Sequence, residues 1–366
     1  MLKPRIKEMH RPMRLPGGRM WIGSAHYGLG SELTGDDVEL TWDLCQAMDG
    51  SLTQDELITV VTSSHAADRS IAERIVKFLI ASGWVEDAGA PVPSALTDRD
   101  VERYRTSSQF FSWIDQFPRS SPYELQAKLK ASRVTVLGVG GTGSAVATSL
   151  AASGIGHLHL VDGDEIELSN LSRQVLYTED DIGKSKSDTA VRRLAALNGD
   201  IEITGSNAFL ENPSDIRREV AGSDIFVHCV DSPAEVYEWS TSVSFELRIP
   251  WVLGVYTGPM AAIGTFMPGE TGCYQCITDA EDNRARAEGT QELITRRRPE
   301  GCNPVLSPTA QISGHLAALE TIYYLLGMNV QTAGRQFHHD FLDYEHHYYL
   351  GLGYSSECPH QATGSH

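Results

Sequence analysis

The spacing of apolar residues changes near residue 130 and divides the chain in two. Before that point helical periods dominate. Val38–Met48 sets Leu40, Leu44 and Cys45 on one side, and Ser51 with Glu56 opens a second helix that runs through Val61. Ser70–Ser82 places Ile71, Ile75, Phe78 and Leu79 at helical spacing. Two glycine-punctuated segments ahead of these helices, Arg14–Gly23 and Ser24–Leu33, read as strands, and Gly83–Ala88 reads as a last short strand. This order predicts a small winged-helix-like α+β module over residues 1–90. The Ala- and Pro-rich stretch 88–97 is a linker, and Asp98–Leu129 is a helical lead-in, so that residues 91–130 join the module to the larger C-terminal part of the chain.

From Arg133 onward strands alternate with helices. Val134–Val139 reads as a buried strand, Ser144–Ser153 as a helix, His157–Asp162 as a strand and Ser187–Asn198 as a helix, with further strands at 201–206, 224–230 and 250–256. That alternation predicts an α/β fold, a doubly wound, mostly parallel Rossmann-like sheet over residues 131–360. No repeat of fixed period is present.

Bulk properties narrow the functional classes. A formal net charge of −18 disfavours nucleic-acid phosphate as a partner. The first 90 residues carry nine Lys or Arg against thirteen Asp or Glu, a net of −4, which argues against reading a winged helix there as a DNA reader. No apolar run long enough to span a bilayer exists, and the basic N-terminus lacks the apolar stretch of a signal peptide, so no membrane partner and a cytoplasmic location are expected. Six cysteines are too few to make a disulfide framework in 366 residues.

Strand 134–137 runs into Gly138-Val139-Gly140-Gly141-Thr142-Gly143-Ser144 and then a helix. Glycines there allow a tight turn and close approach of backbone to phosphate, while the helix start offers free N–H groups and a positive dipole end. The next strand ends at Asp162, 19 residues after Gly143, where a carboxylate suits a ribose hydroxyl. The run Asp162-Gly163-Asp164-Glu165-Ile166-Glu167-Leu168-Ser169-Asn170-Leu171-Ser172-Arg173-Gln174, followed by Lys186, is unusual for a dehydrogenase. Asn170, Arg173 and Lys186 suit a triphosphate and the charge that moves when it is cleaved. Asp231, after the strand at 224–230, lies at a carboxyl edge and suits Mg2+.

These segments, GVGGTGS, LVDGDEIELSNLSRQ, IGKSK and VHCVDSP, resemble the ubiquitin-activating-type adenylating superfamily, whose bacterial members activate sulfur-carrier proteins. The resemblance covers about residues 98–350 and extends to the helix 314–326. It implies an ATP-dependent enzyme that forms acyl-adenylates and works as a homodimer. Gly138, Gly140, Gly141 and Gly143 would form the nucleotide loop. Asp162 would hold ribose, with Asp164 beside it. Asn170, Arg173, Gln174 and Lys186 would surround the phosphates, and Asp231 would hold Mg2+. Family members often carry an inter-subunit arginine in an Arg-Tyr-x-Arg-Gln element. Here Thr106 stands at that position, and Arg105 or Arg103 would have to replace it.

The same family often binds structural zinc through two C-x-x-C pairs. Cys273 and Cys276 match the first; the second reads Cys358-Pro359-His360-Gln361, which leaves Cys358 and His360 as further zinc ligands. Asp279–Gly301 reads as a charged loop with the run Arg296-Arg297-Arg298, and Cys302 beyond it as a small buried residue or a sulfur-transfer thiol. The His pairs 338–339 and 346–347 read as strand and loop residues.

The N-terminal module resembles the leader-peptide recognition element of peptide-modifying enzymes, which takes up a leader as an added strand. Module and adenylating domain together resemble the enzymes of microcin C and pantocin biosynthesis. The combination implies an enzyme of ribosomal peptide natural products that binds a precursor's leader and activates a carboxylate on its core. A sulfur-carrier adenylyltransferase, a non-catalytic leader-binding partner of a cyclodehydratase and a dinucleotide oxidoreductase are the alternatives.

Overall fold

The computed structural model describes residues 1–65, 67–290, 304–351, 358 and 360. They form two compact units, Met1–Lys128 and Leu129–His366.

In the first unit β1 (Pro4–Ile6) pairs antiparallel with β5 (Val85–Asp87), the latter lying within the predicted last strand. A separate antiparallel sheet is made by β2 (Met13–Leu15), β3 (Arg19–Gly23) and β4 (Gly30–Leu33), with β3 in the middle. Among the described residues β2 and β4 each pair with β3 alone, so both outer edges of this sheet are open. Helices α1 (Val38–Ala47), α2 (Gln54–His65) and α3 (Arg69–Ala81) complete the core.

The structure corrects two sequence expectations in this unit. Helix α2 is capped by Thr53, whose backbone N–H and hydroxyl both donate to Glu56 at 2.8 and 2.7 Å, while the Ser51 N–H turns back to Asp49. A box needs its acid three residues on, which Thr53 has and Ser51 has not. On α3 the buried stripe is Ala72, Val76 and Leu79; Ile71 and Ile75 flank it, and Phe78 is 47% exposed, edge-on to Trp84.

Helices α4 (Asp98–Arg103), α5 (Arg105–Ile114) and α6 (Glu124–Ala131) come next. The segment before α6 packs on the turn that follows β1: Lys7 Nζ donates to the Asp115 carbonyl at 2.9 Å, and His10 Nε2 lies 2.9 Å from the Trp113 carbonyl.

The second unit is built on an eight-stranded sheet. Strands β6 (Arg133–Leu137), β7 (His157–Val161), β8 (Glu202–Ser206), β9 (Ile225–His228) and β10 (Trp251–Thr257) run parallel in the order β8-β7-β6-β9-β10. Strands β11 (Met260–Phe266), β12 (Gln336–Asp340) and β13 (His347–Leu350) extend it antiparallel. The crossovers include α7 (Gly141–Ser153), α8 (Lys186–Leu197), α9 (Pro213–Val220) and α10 (Val236–Leu247). Two more helices are α11 (Tyr274–Glu288) and α12 (Ser307–Leu326). The chain winds outward from β6 in one direction and then crosses back to β9. The carboxyl ends of β6, β7 and β9 therefore meet at the topological switch point where such sheets bind ligands.

The charged loop expected at Asp279–Gly301 is helical through Glu288, because α11 continues past Asp279 to a Gly289 cap at φ 68°. The Arg296–Arg298 run, Cys302 and Gln361 lie outside the described residues. His338 and His339 are in β12 and His347 is in β13, with His346 in the turn between them. No helix among the described residues is long and apolar enough to cross a membrane.

Candidate active site

The glycine loop bridges β6 and α7. Gly138 has φ +84°, the left-handed region that favours glycine. A Cβ on Gly143 would stand 1.8 Å from the Gly138 carbonyl oxygen, so the turn closes only without a side chain there. Asp162, at the end of β7, fixes this loop from below. One carboxylate oxygen accepts the Val139 N–H at 2.8 Å and the other accepts the Asp164 N–H at 2.9 Å. Burial pushes the Asp162 carboxyl up from its ordinary value, against the pull of Lys186 and these two N–H donors. Each oxygen keeps a second lone pair, so holding the loop leaves the group able to accept from a diol.

Beyond Asp162 the chain makes a short 3-10 turn, Leu168–Ser172. Asn170 is buried in it and its Oδ1 accepts the Glu167 N–H at 3.1 Å. Arg173 ends the turn and its Nη1 donates to the Ser169 carbonyl at 3.2 Å. Lys186 opens α8, whose cap is Ser185. Its Nζ donates to Asp164 Oδ2 at 2.7 Å, and its N–H donates to the Asp164 carbonyl at 3.0 Å. These residues line a cleft of about 530 Å³. Its walls hold two cations, Arg173 and Lys186, against three acids, Asp164, Glu165 and Glu167. With one negative charge in excess on its walls, the cleft favours a polyphosphate that arrives with a divalent cation.

The structure thus brings Asp164, Asn170, Arg173 and Lys186 into one cleft, which the other predicted residues do not line. Gln174 lies under Gly140 with its side chain almost fully buried; its Oε1 has no hydrogen-bond partner among the described residues. Asp231 is exposed and does not line the cleft. It reaches the same edge of the sheet on the exit of β9, where the Val230 side chain lies 2.9 Å from the position of a Cβ on Gly138. Arg103 and Arg105 are exposed at the junction of α4 and α5 in the first unit, around a buried Tyr104.

Four supporting residues escaped the sequence reading. Tyr177 is buried and its hydroxyl lies 2.9 Å from the Val139 carbonyl and 3.2 Å from that of Lys186, tying the glycine loop to α8. His228, fully buried in β9, has Nδ1 at 2.8 Å from the Ser240 hydroxyl and Nε2 at 2.8 Å from the Val230 carbonyl. Burial pushes its pKa down to about 4, so it is neutral and donates to Val230, the residue before Asp231. Phe209, in the loop after β8, is 61% exposed with its ring against Gly163, beside Asp162. Gln311 of α12 donates to two carbonyls at the loop. His228 stands inside the VHCVDSP segment but carried no role of its own there, and the other three belong to no motif; an exposed aromatic after a strand and a polar residue amid apolar neighbours were the available signals.

A second cluster lies at the start of α11. Cys273 Sγ is 3.8 Å from Cys276 Sγ, 3.4 Å from Cys358 Sγ and 3.7 Å from His360 Nδ1. All three cysteines are buried, and the His360 ring stacks on Phe245 at 4.6 Å. Tetrahedral zinc with Zn–S bonds of about 2.3 Å spaces its sulfurs about 3.8 Å apart. The three cysteines therefore suit zinc in kind and in spacing, and His360 stands beside Cys273.

Known proteins resemble this chain over most of its length. The sulfur carrier protein ThiS adenylyltransferase of Escherichia coli is 35% identical over 234 residues, which are 64% of this chain and 84% of that protein. The molybdopterin-synthase adenylyltransferase of the same organism is 31% identical over 219 residues, 59% of this chain and 82% of that one. The crystal structure of E. coli MccB superposes with a TM-score of 0.78 at 21% identity, covering 99% of both chains. PaaA superposes with a TM-score of 0.71 at 23% identity, over 94% of this chain and all of the other. The ThiF family profile matches residues 115–358, which span the glycine loop, the cleft and the cysteine cluster, and the chain is an ATP-dependent adenylating enzyme that belongs to the ThiF family.

Proposed function

We propose that this enzyme binds a ribosomal precursor peptide through its N-terminal module, residues 1–90, joined by the lead-in 91–130 to an adenylation domain at 131–360 that activates a carboxylate on the core. The carboxylate oxygen attacks the α-phosphorus of ATP, the bond to the β-phosphate oxygen breaks, and acyl-adenylate and pyrophosphate result. Arg173 and Lys186 offset the charge that builds on the phosphates, and Asn170 and the α7 N-terminus orient them. Asp162 accepts from the ribose, and Phe209 gives the base an exposed aromatic face. Asp231 would hold Mg2+, which would supply charge neutralisation at the triphosphate. Cys273, Cys276, Cys358 and His360 would hold zinc, which would fasten the C-terminal segment to α11.

The observation that carries the peptide reading is the first unit's three-stranded sheet with open edges, attached to an adenylating unit. An open edge takes up an extended peptide through main-chain hydrogen bonds. In support, E. coli MccB, alike over 98% of this chain, has been solved with ATP and, as the microcin C7 biosynthetic enzyme, with N-formylated MccA. The relatives that act on sulfur carriers favour the second reading, a carrier protein ending in Gly-Gly as substrate.

ATP–pyrophosphate exchange by the full chain separates the two. We expect exchange with a short peptide encoded beside the gene and none with a Gly-Gly carrier. Exchange with the carrier alone refutes the peptide reading.

A further inference from the structure

Arg173 sits at the end of a one-turn 3-10 segment, which by itself holds a side chain loosely in place. The residue that fixes it comes from the far side of the sequence. The Gln311 Nε2 group donates to the Arg173 carbonyl at 2.9 Å and to the Gly141 carbonyl at 3.1 Å. An amide NH2 has two hydrogens, so both bonds form at once. Gly141 is the first residue of α7, the helix that follows the glycine loop. The stem of Arg173 lies over the same glycine: a Cβ on Gly141 would be 3.5 Å from Arg173 Cγ and 3.7 Å from Cδ. The neighbour of Gln311 on α12, Ala310, packs there too, at 3.3 Å from that position.

We propose that Gln311 is a positioning residue for adenylation, an amide staple that holds the Arg173 peptide in register with the start of α7. The guanidinium thereby stands at a fixed offset from the positive end of the helix, and the two act together on the phosphates. Helix α12 becomes part of the nucleotide site without touching the nucleotide. Preorganised charge is effective because nothing moves when the reaction begins; a loosened arginine spends part of its interaction on being ordered. The inference rests on the proposed role of Arg173 at the triphosphate.

The test is calorimetric titration of Mg-ATP into the full chain, with thermal unfolding measured in parallel. Gln311→Met keeps length and helix propensity and removes both donors. We expect it to weaken Mg-ATP about tenfold, with the melting temperature of the free protein within about 3 °C of wild type. Gln311→Asn, which keeps an amide too short to span both carbonyls, is expected to weaken binding in the same way and serves if the Met variant folds poorly. Arg173→Ala should weaken binding at least as much. Because Gln311 acts through Arg173, adding Gln311→Met to Arg173→Ala should change affinity by less than about twofold. Wild-type affinity in both Gln311 variants, with Arg173→Ala impaired, overturns the staple and leaves the site intact. A full tenfold effect of Gln311→Met in the Arg173→Ala background also overturns it. Unchanged affinity in Arg173→Ala instead overturns the assignment of the site.

Discussion

Cutting the Lys186–Asp164 pair from either side should rank the variants one way for stability and the other way for catalysis. The ammonium and carboxylate are 2.7 Å apart, and the Lys186 side chain is 8% exposed against 56% for Asp164. Asp164→Ala leaves a buried ammonium without its carboxylate. Deleting one partner of a fully buried pair costs about 3–5 kcal/mol. The open cleft admits water to this lysine, so about 1–3 kcal/mol is expected. Lys186→Met keeps the apolar stem and removes the charge, leaving Asp164 to water and Asp162 to the Val139 and Asp164 N–H groups that already hold it. Its effect on stability should stay within about 1 kcal/mol. Catalysis reverses the order. Lys186→Met removes a cation from the phosphates and should slow ATP–pyrophosphate exchange about 10²–10³-fold, whereas Asp164→Ala should slow it about tenfold by loosening the lysine. Urea midpoints at neutral pH and exchange rates with a carboxylate substrate decide the matter. If Lys186→Met is the less stable variant, or keeps exchange within about threefold of wild type, the reasoning about which partner is stranded is wrong.

The same geometry sets other outcomes. Elemental analysis should find one zinc per chain, and Cys276→Ser should lose it together with several degrees of melting temperature; a metal-free wild type indifferent to chelator would refute the assignment. Asp231→Ala should fold normally and lose about 10²–10³-fold of Mg2+-dependent exchange, and normal exchange would free Asp231 from the metal role. His228 bears on pH. The unfolded chain takes up its proton near pH 6.5 and the folded chain only near 4, so acid favours unfolding across that window. Stability should fall by up to about 3 kcal/mol between pH 6.5 and 4 from this residue, and Gln in its place should flatten that slope. An identical slope in His228→Gln would mean the imidazole is not buried neutral.

The glycine loop and the run from Asp162 to Lys186 were legible because their constraints are local. A turn that needs φ +84° at Gly138, a strand before it and a helix after it are all set within a few residues. The alternation of strands and helices likewise announced the parallel sheet, since each crossover leaves its own periodicity. Locality also explains the errors. Thr53 displaced Ser51 as a cap because one residue of register decides which side chain meets the acid, and α3 turned Phe78 outward because the facing helices, not its own period, select the buried stripe. The antiparallel strands β12 and β13 left little pattern in short segments rich in His and Tyr. The zinc candidates were countable in sequence, but the 3.4 Å approach of Cys358 to Cys273, 85 positions apart along the chain, is visible only in the structure. Gln311 marks the limit most clearly. It is one amide on a helix of small and apolar residues, and its meaning comes from two carbonyls, 170 and 138 residues away, that only the packed structure places within reach of it. Local sequence set the turns and the succession of strands and helices along the chain; the long-range contacts decided the order of strands in the sheet and which polar groups stand together, because hydrogen-bond distance in space leaves no trace in distance along the chain.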